Sequence, residues 1–183
     1  LFLRTSEFLW QEGHCAHLTH EESMEEVTWA INMYQQTYNE LMGIYGIIGA
    51  KSDSEKFAGG YKSYTFEALM PNGKSLQACT SHDLGQNFSK SIEWTVQDNE
   101  GKKAYPWQNS WGFSTRSIGG LIMSHGDEKG LVLPPNIAPI QIVVVPIPNH
   151  QTALKKSKEI IELLNGHYRV KLDNHDGETA GFK

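Results

Sequence analysis

Cysteine, arginine and long apolar runs are all scarce in this chain, and each scarcity excludes something. Two cysteines, Cys15 and Cys79, cannot build a disulfide framework. Free thiols fit a reducing compartment, and both read as small packing residues. The longest apolar run, IQIVVVPIP at 140–148, is broken by proline and too short to span a bilayer. With no basic-then-apolar signal pattern at the N-terminus, the expectation is a cytosolic protein without membrane contact. Positive charge is short as well. A formal net charge of −5 gives the molecule as a whole no nucleic-acid surface, so any RNA contact must come from a local patch. Arginine occurs only at Arg4, Arg116 and Arg169, the first two each at a junction with a strand or helix start. A planar guanidinium in such a place suits a polyphosphate or the face of an aromatic ring.

What is present makes a globular protein. At 183 residues and 39% hydrophobic content the chain can hold one medium domain, or one domain and part of another. Leu1 is not an initiator methionine and the closing GETAGFK ends no obvious element, so a fragment cut at both ends is expected. Residues 1–18 read as a loop entering a short strand. Thr19-x-x-Glu22 is a capping box that opens a helix. Along it Met24, Val27, Ile31, Tyr34, Tyr38 and Leu41 form one stripe, Glu21, Glu22, Glu25 and Glu26 crowd the positive end of the dipole, and Gly43 is the stop.

From residue 44 the period changes to that of strands: GIYGIIGA, YTFEALM at 64–70 and SLQACTS at 75–81, the last two joined by an Asn72-Gly73 hairpin turn. SIEWTVQD and AYPWQNSWGFS are read as two more strands of the same antiparallel meander. Residues 116–125 follow as a helix on that sheet, with Ile118, Leu121 and Ile122 facing it and Gly119-Gly120 allowing close approach. At Leu133-Pro134-Pro135 the character shifts. QIVVVPI reads as a strand buried on both faces, Thr152–Asn165 as a helix and HYRVKLD as a strand, a β-α-β unit that cannot cover its own sheet. The domains are therefore expected at 1–133 and 134–183, the second incomplete, in the α+β class.

One stretch asks for a function. LQACTSHDLGQNFSK at 76–90 carries Gln77, Thr80, His82 and Gln86, neutral donors and acceptors suited to orienting a bound polar molecule. Two other patterns carry less. His14-x-x-His17-x-x-His20, with Cys15 beside it, would need a helix to converge on zinc, yet the capping box starts the helix after these residues. His125, His150, His167 and His175 are scattered and read as exposed. EKFAGG at 55–60 lacks the spacing and following helix of a phosphate loop.

Taken in order, FLRTSEFLWQEGH, EKFAGG, CTSHDLGQNFSK, QNSWGFSTRSIGG and HGDEKGLVLPPNIAPIQ resemble the prolyl-tRNA synthetases of archaeal and eukaryotic type, over nearly the whole chain. The tail GETAGFK departs from the family's proline-glycine-containing segment. The resemblance implies an antiparallel class II synthetase sheet with flanking helices, followed by a partial α/β anticodon-binding domain. It implies ATP and Mg2+, L-proline and tRNA(Pro) as partners, and a homodimer for the full-length protein. Arg4 and Thr5 would touch the triphosphate, Phe8 would stack on one face of adenine and Arg116 would cover the other, making the two arginines the catalytic pair. Gln77 and Thr80 would contact ATP, Gln77 beside the metal. Trp10, Glu12, His14, His82 and Ser114 would form the proline pocket. The family's first motif, its Thr-x-Glu pair and the first strand of its second motif would lie before Leu1, so the isolated chain is expected to be inactive alone. The competing reading is a non-catalytic binding or regulatory protein on the same scaffold. Threonine or histidine specificity is disfavoured by CTSHDLGQ together with EKFAGG.

Overall fold

The computed structural model describes residues 3–147, 150, 152–175, 177–179 and 181–182. Part of the tail GETAGFK and the end of IQIVVVPIP lie outside the described residues. The chain forms two compact units, 1–132 and 133–183.

The first unit is built on one five-stranded antiparallel sheet. Its strands are β1 (Trp10–His17), β2 (Gly46–Ala50), β3 (Lys62–Leu69), β4 (Ser75–Gly85) and, after a small two-stranded hairpin of β5 (Val96–Gln97) and β6 (Lys103–Ala104), β7 (Trp107–Ser114). The spatial order is β1-β7-β4-β3-β2, so the meander continues in sequence order from β2 to β7, and β1 closes the far edge. The expected hairpin at Asn72-Gly73 is present. Gly73 takes φ +76, which a side chain would resist, and the Asn72 carboxamide oxygen accepts from the Lys74 amide at 3.1 Å.

Helix α1 (His20–Gln36) opens on the predicted capping box, with Thr19 and Glu22 bonded reciprocally. It lies on one face of the sheet, burying Val27, Ala30, Ile31 and Tyr34. Its last turn, Thr37–Leu41, is π-helical, and the extra residue rotates the stripe: Tyr38 and Met42 are buried, whereas Leu41, expected inside, is 44% exposed. The seam between α1 and the sheet is partly polar. Ser81 Oγ donates to the Val27 carbonyl at 2.9 Å, Asn109 Nδ2 to the Ser23 carbonyl at 3.2 Å and Tyr34 Oη to Gln11 Oε1 at 2.6 Å. These bonds satisfy groups that burial would otherwise strand.

Two sequence expectations fail here for physical reasons. Most of SIEWTVQD is not a strand: a short helix α2 (Asn87–Ser91) ends on its first residue, and Glu93 then takes φ +54, a left-handed conformation that an extended strand cannot contain. Only Val96 and Gln97 of that run pair as a strand. Helix α3 (Arg116–His125) does pack on the sheet, but through Ser117, Gly119, Gly120 and Leu121, while Ile118 and Ile122 stay largely exposed. The small residues decide this. A Cβ on Gly120 would stand 2.9 Å from Leu76, so the backbone itself is in contact.

In the second unit, β8 (Ile142–Val144) and β9 (Val170–Leu172) pair in parallel with α4 (Ala153–Leu164) between them, as the β-α-β reading requires. The strand expected to be buried on both faces is shorter and half open, with Val143 48% exposed, since a lone unit covers one face only. Arg169 belongs to this unit's scaffold. Its guanidinium donates to the carbonyls of Pro135, Asn136 and Ala138 at 2.9–3.0 Å.

Gly13 shows how tightly the first unit is assembled. A Cβ there would meet the Trp111 ring at 2.3 Å, and that ring also meets Trp29 and Tyr34 edge to face. Gly13→Ala is expected to lower stability by about 1–3 kcal/mol, the usual cost of overpacking, as read from the urea midpoint at unchanged m.

Candidate active site

The face of the sheet away from α1 is not covered by a helix along its β1 end, and its residues are set by register. Glu12 pairs with Gly112, Gly112 with Thr80 and Thr80 with Thr65 across four strands. The next row runs His14, Ser110, His82, Ser63. Gln77 should not share this face with Thr80, because three residues separate them and strands alternate. A β-bulge restores it. Phe66 pairs with Cys79 and Glu67 with Gln77, so Ala78 is the extra residue and Gln77 returns to the open face.

The bulge also frees carbonyls that other elements use. Tyr38 Oη donates to the Ala78 carbonyl at 3.2 Å, and Arg116 Nη1 donates to that of Gln77 at 3.2 Å. Arg116 Nε donates to the Leu3 carbonyl at 2.9 Å, which fixes the plane of the guanidinium at two points. Beside it opens a cleft of about 670 Å³ lined by Arg4, Thr5, Phe8, Trp10, Gln77, Thr80, Ser114 and Arg116 among others. Eight of the eleven residues that the resemblance assigns to the site thus line one cavity. Phe8 and Trp10 are each 54% exposed and meet edge to face at 6.0 Å, a ready aromatic wall. The ring of Trp10 lies over Gly112, where a Cβ would stand 3.2 Å away. The Ser114 hydroxyl accepts from the Arg116 amide at 3.3 Å at the start of α3.

Glu12, His14 and His82 do not line that cleft but continue the same face along β1 and β4. His14 Nε2 and Glu12 Oε2 lie 3.1 Å apart. His82 Nδ1 lies 2.8 Å from Ser63 Oγ, with the Phe57 ring at 5.1 Å. Burial, and after it the Lys51 ammonium, push this imidazole down to about 4, against the pull of Glu12. It is neutral at physiological pH. Gln86, expected in the polar row, is outside it: a second irregularity at Asp83/Gly85 turns the chain, and Gln86 Nε2 donates to the Tyr105 carbonyl at 2.7 Å.

Lys51 and the EKFAGG segment are what the sequence reading missed. Lys51 follows β2, its amide donates to the Ser63 carbonyl, and its Nζ donates to Gln77 Oε1. EKFAGG delivers Phe57 onto His82. The nearest signal in the sequence was the adjacency of Lys51 to that motif. Among the described residues Arg4, Arg116 and Lys51 have no carboxylate within ion-pair distance, and no carboxylate lines the cleft. In a chain of net charge −5, this is a local concentration of uncompensated positive charge, which suits an anion. The same facts speak against a resident magnesium site formed by these residues, since Gln77 offers a neutral oxygen already facing an ammonium.

The other histidines have different work. His17 and Cys15 both donate to Glu26, at 2.6 and 3.1 Å, and His20 meets the buried Asp83 at 2.7 Å while stacked on Trp107 at 4.3 Å. Burial would raise the Glu26 carboxyl, but hydrogen bonds from Cys15, His17 and Asn109 outweigh it and hold it low. Cys15 is therefore a donor as well as a packing residue, its thiol pushed up to about 11 by burial and by Glu26. His125, expected exposed, is half-buried with Nε2 2.6 Å from the Met42 carbonyl, at the end of the π-helical turn.

Comparison with known proteins gives one consistent answer. The tRNA synthetase class II core domain (G, H, P, S and T) matches residues 2–125. The chain is 51% identical over 183 residues to a proline–tRNA ligase of Alkaliphilus oremlandii, covering 100% of this chain and 38% of the relative. It is 50% identical over 184 residues to proline–tRNA ligase 2 of Clostridioides difficile, with the same coverage. The crystal structure of prolyl-tRNA synthetase from Cryptosporidium parvum complexed with L-proline and AMP superposes with a TM-score of 0.90 at 44% identity, over 98% of this chain and 40% of that one. The same enzyme with halofuginone and AMPPNP also gives 0.90. The chain spans less than half the length of these relatives.

The neutral His82 has a measurable consequence. The unfolded chain takes up a proton on this residue near 6.5, the folded chain only near 4, so its stability is complete above that window and declines as the pH falls through it. Urea denaturation at pH 7 and pH 4.5 is expected to show a smaller acid loss in His82→Gln than in wild type. An equal loss would mean that His82 is protonated in the folded state.

Proposed function

Because the chain belongs to the tRNA synthetase class II core domain family, we propose that it is part of a proline–tRNA ligase, which joins L-proline to ATP as prolyl-adenylate and passes the prolyl group to tRNA(Pro). One observation carries the reading: a single sheet face joins a cation-lined, carboxylate-free cleft to an aromatic wall and a neutral imidazole. The names of its relatives, and the proline and AMP of the similar crystal structure, point the same way. The five motifs quoted above favour the archaeal and eukaryotic type.

The chemistry needs no side-chain nucleophile. The proline carboxylate attacks the α-phosphorus, an O–P bond forms, and the bond to pyrophosphate breaks, so the protein's part is alignment and charge. In this proposal Arg4 and Thr5 hold the triphosphate, and Phe8 and Arg116 take the two faces of adenine. Gln77 and Thr80 bind the nucleotide from the floor. Lys51, next to Gln77, adds positive charge near the reacting oxygens. Trp10 walls the pyrrolidine, with Glu12, His14, His82 and Ser114 supplying polar contacts. Mg2+ enters only as a companion of the triphosphate, and no step is assigned to it. The 133–183 unit is proposed as the start of an anticodon-binding domain, the full-length protein as a cytoplasmic homodimer. Among the described residues no helix is long and apolar enough to cross a membrane.

Two measurements on the full-length protein test this. In proline-dependent pyrophosphate exchange, Arg116→Ala is expected to lose more than about a hundredfold in kcat/KM for ATP, with Arg116→Lys no rescue, because the bidentate fixation is lost. A loss below about threefold, under ~1 kcal/mol, would put Arg116 outside the site. Trp10→Ala is expected to raise KM for proline about tenfold while leaving that for ATP nearly unchanged. Equal losses for both substrates would make Trp10 a packing residue.

A further inference from the structure

The 52–63 segment ends in a residue with no role in the reading above. Ser63 is fully buried on β3, opposite His82 on β4. Its Oγ accepts from the Phe57 amide at 3.0 Å and lies 2.8 Å from His82 Nδ1. A serine hydroxyl has one proton, and the only acceptor that the described residues offer it is that nitrogen. Were Nδ1 the protonated nitrogen, two donors would converge on Ser63 Oγ and its own proton would be buried unspent, at a cost that the observed packing need not bear.

We infer that Ser63, held by the Phe57 amide, is a positioning residue that fixes His82 as the Nε2–H tautomer and so makes the imidazole a hydrogen-bond donor to the ligand on the open sheet face. The chain of bonds runs one way: Phe57 N–H to Ser63 Oγ, Ser63 O–H to His82 Nδ1, His82 Nε2–H outward. Nε2 has no other partner among the described residues. The Phe57 ring at 5.1 Å, itself backed by Phe88 at 6.2 Å, prevents the imidazole from turning over. Burial and the nearby Lys51 ammonium keep the ring from taking a second proton. A neutral donor of this kind suits an oxygen of a carboxylate or acyl group and cannot accept from an ammonium. Resting on the proline-pocket reading, the inference assigns His82 to the carboxylate end of the amino acid and not to its amine. It also gives EKFAGG a task, the presentation of Phe57 to both Ser63 and His82.

Nitrogen-15 NMR of the labelled chain at pH 7 tests the tautomer, with the His82 signals identified by their loss in His82→Gln. The expected wild-type pattern is a protonated Nε2 and an unprotonated Nδ1. In Ser63→Ala the two ring nitrogens should move toward averaged tautomers, and in Ser63→Thr, which keeps the hydroxyl, the wild-type pattern should return. A protonated Nδ1 in wild type overturns the inference without any variant, as does an unchanged pattern in a Ser63→Ala protein whose amide spectrum remains folded. In the full-length protein, Ser63→Ala should then raise KM for proline about tenfold with KM for ATP unchanged, and Ser63→Thr should restore it. If the tautomer shifts as expected while KM for proline stays put, the tautomer assignment stands and the placement of His82 in a proline pocket falls.

Discussion

The bulge at Ala78 is the constraint on which the site depends. An uninterrupted β4 would send Gln77 to the opposite face from Thr80 and His82, into the layer beneath α1. With one residue inserted, three polar side chains spaced by three and then two come to share a surface. The carbonyls released from the ladder are not wasted on solvent: one anchors Tyr38 in the core and the other anchors Arg116 at the cleft. A single backbone irregularity thus positions the floor of the site, its main cation and part of the core.

The two faces of the sheet solve opposite electrostatic problems. Beneath α1, several buried polar groups meet partners, Asp83 with His20, the Asn109 amide nitrogen with Ser23, Ser81 with the Val27 carbonyl and Glu26 with three donors at once, while Asn109 Oδ1 and Trp111 Nε1 have none among the described residues. That layer is closed, and Tyr38 and Cys79 within it are driven away from ionisation chiefly by burial. The open face keeps Arg4, Arg116 and Lys51 without carboxylate partners, and holds His82 neutral. Charge left uncompensated in the free protein is charge available to a ligand, and its preorganisation lowers the reorganisation needed when that ligand arrives.

Small residues carry the geometry between these layers. Gly120 brings the α3 backbone onto Leu76, Gly112 makes room for the Trp10 ring and Gly13 for that of Trp111. In each case a glycine on one element faces a large side chain on another, so the position of the aromatic wall is set by what its neighbours lack.

By itself the sequence determined the local elements and the inventory of chemistry. The capping box at Thr19, the turn at Asn72-Gly73, the antiparallel sheet and the terminal β-α-β unit were all legible, because each follows from short-range periodicity or turn chemistry. Arg4, Arg116, Trp10 and the Gln77 to His82 row could be named from their residue types and from a resemblance, without knowing which would meet. Tertiary structure decided the rest. The π-helical turn that exposes Leu41, the loss of most of the strand expected at SIEWTVQD and the partner of His125 were not legible in local preference. Lys51 joined the site, and Gln86 left it, only through strand register and its two irregularities. Register is a property of pairs of strands distant in sequence, and one extra residue reverses which face every side chain beyond it occupies.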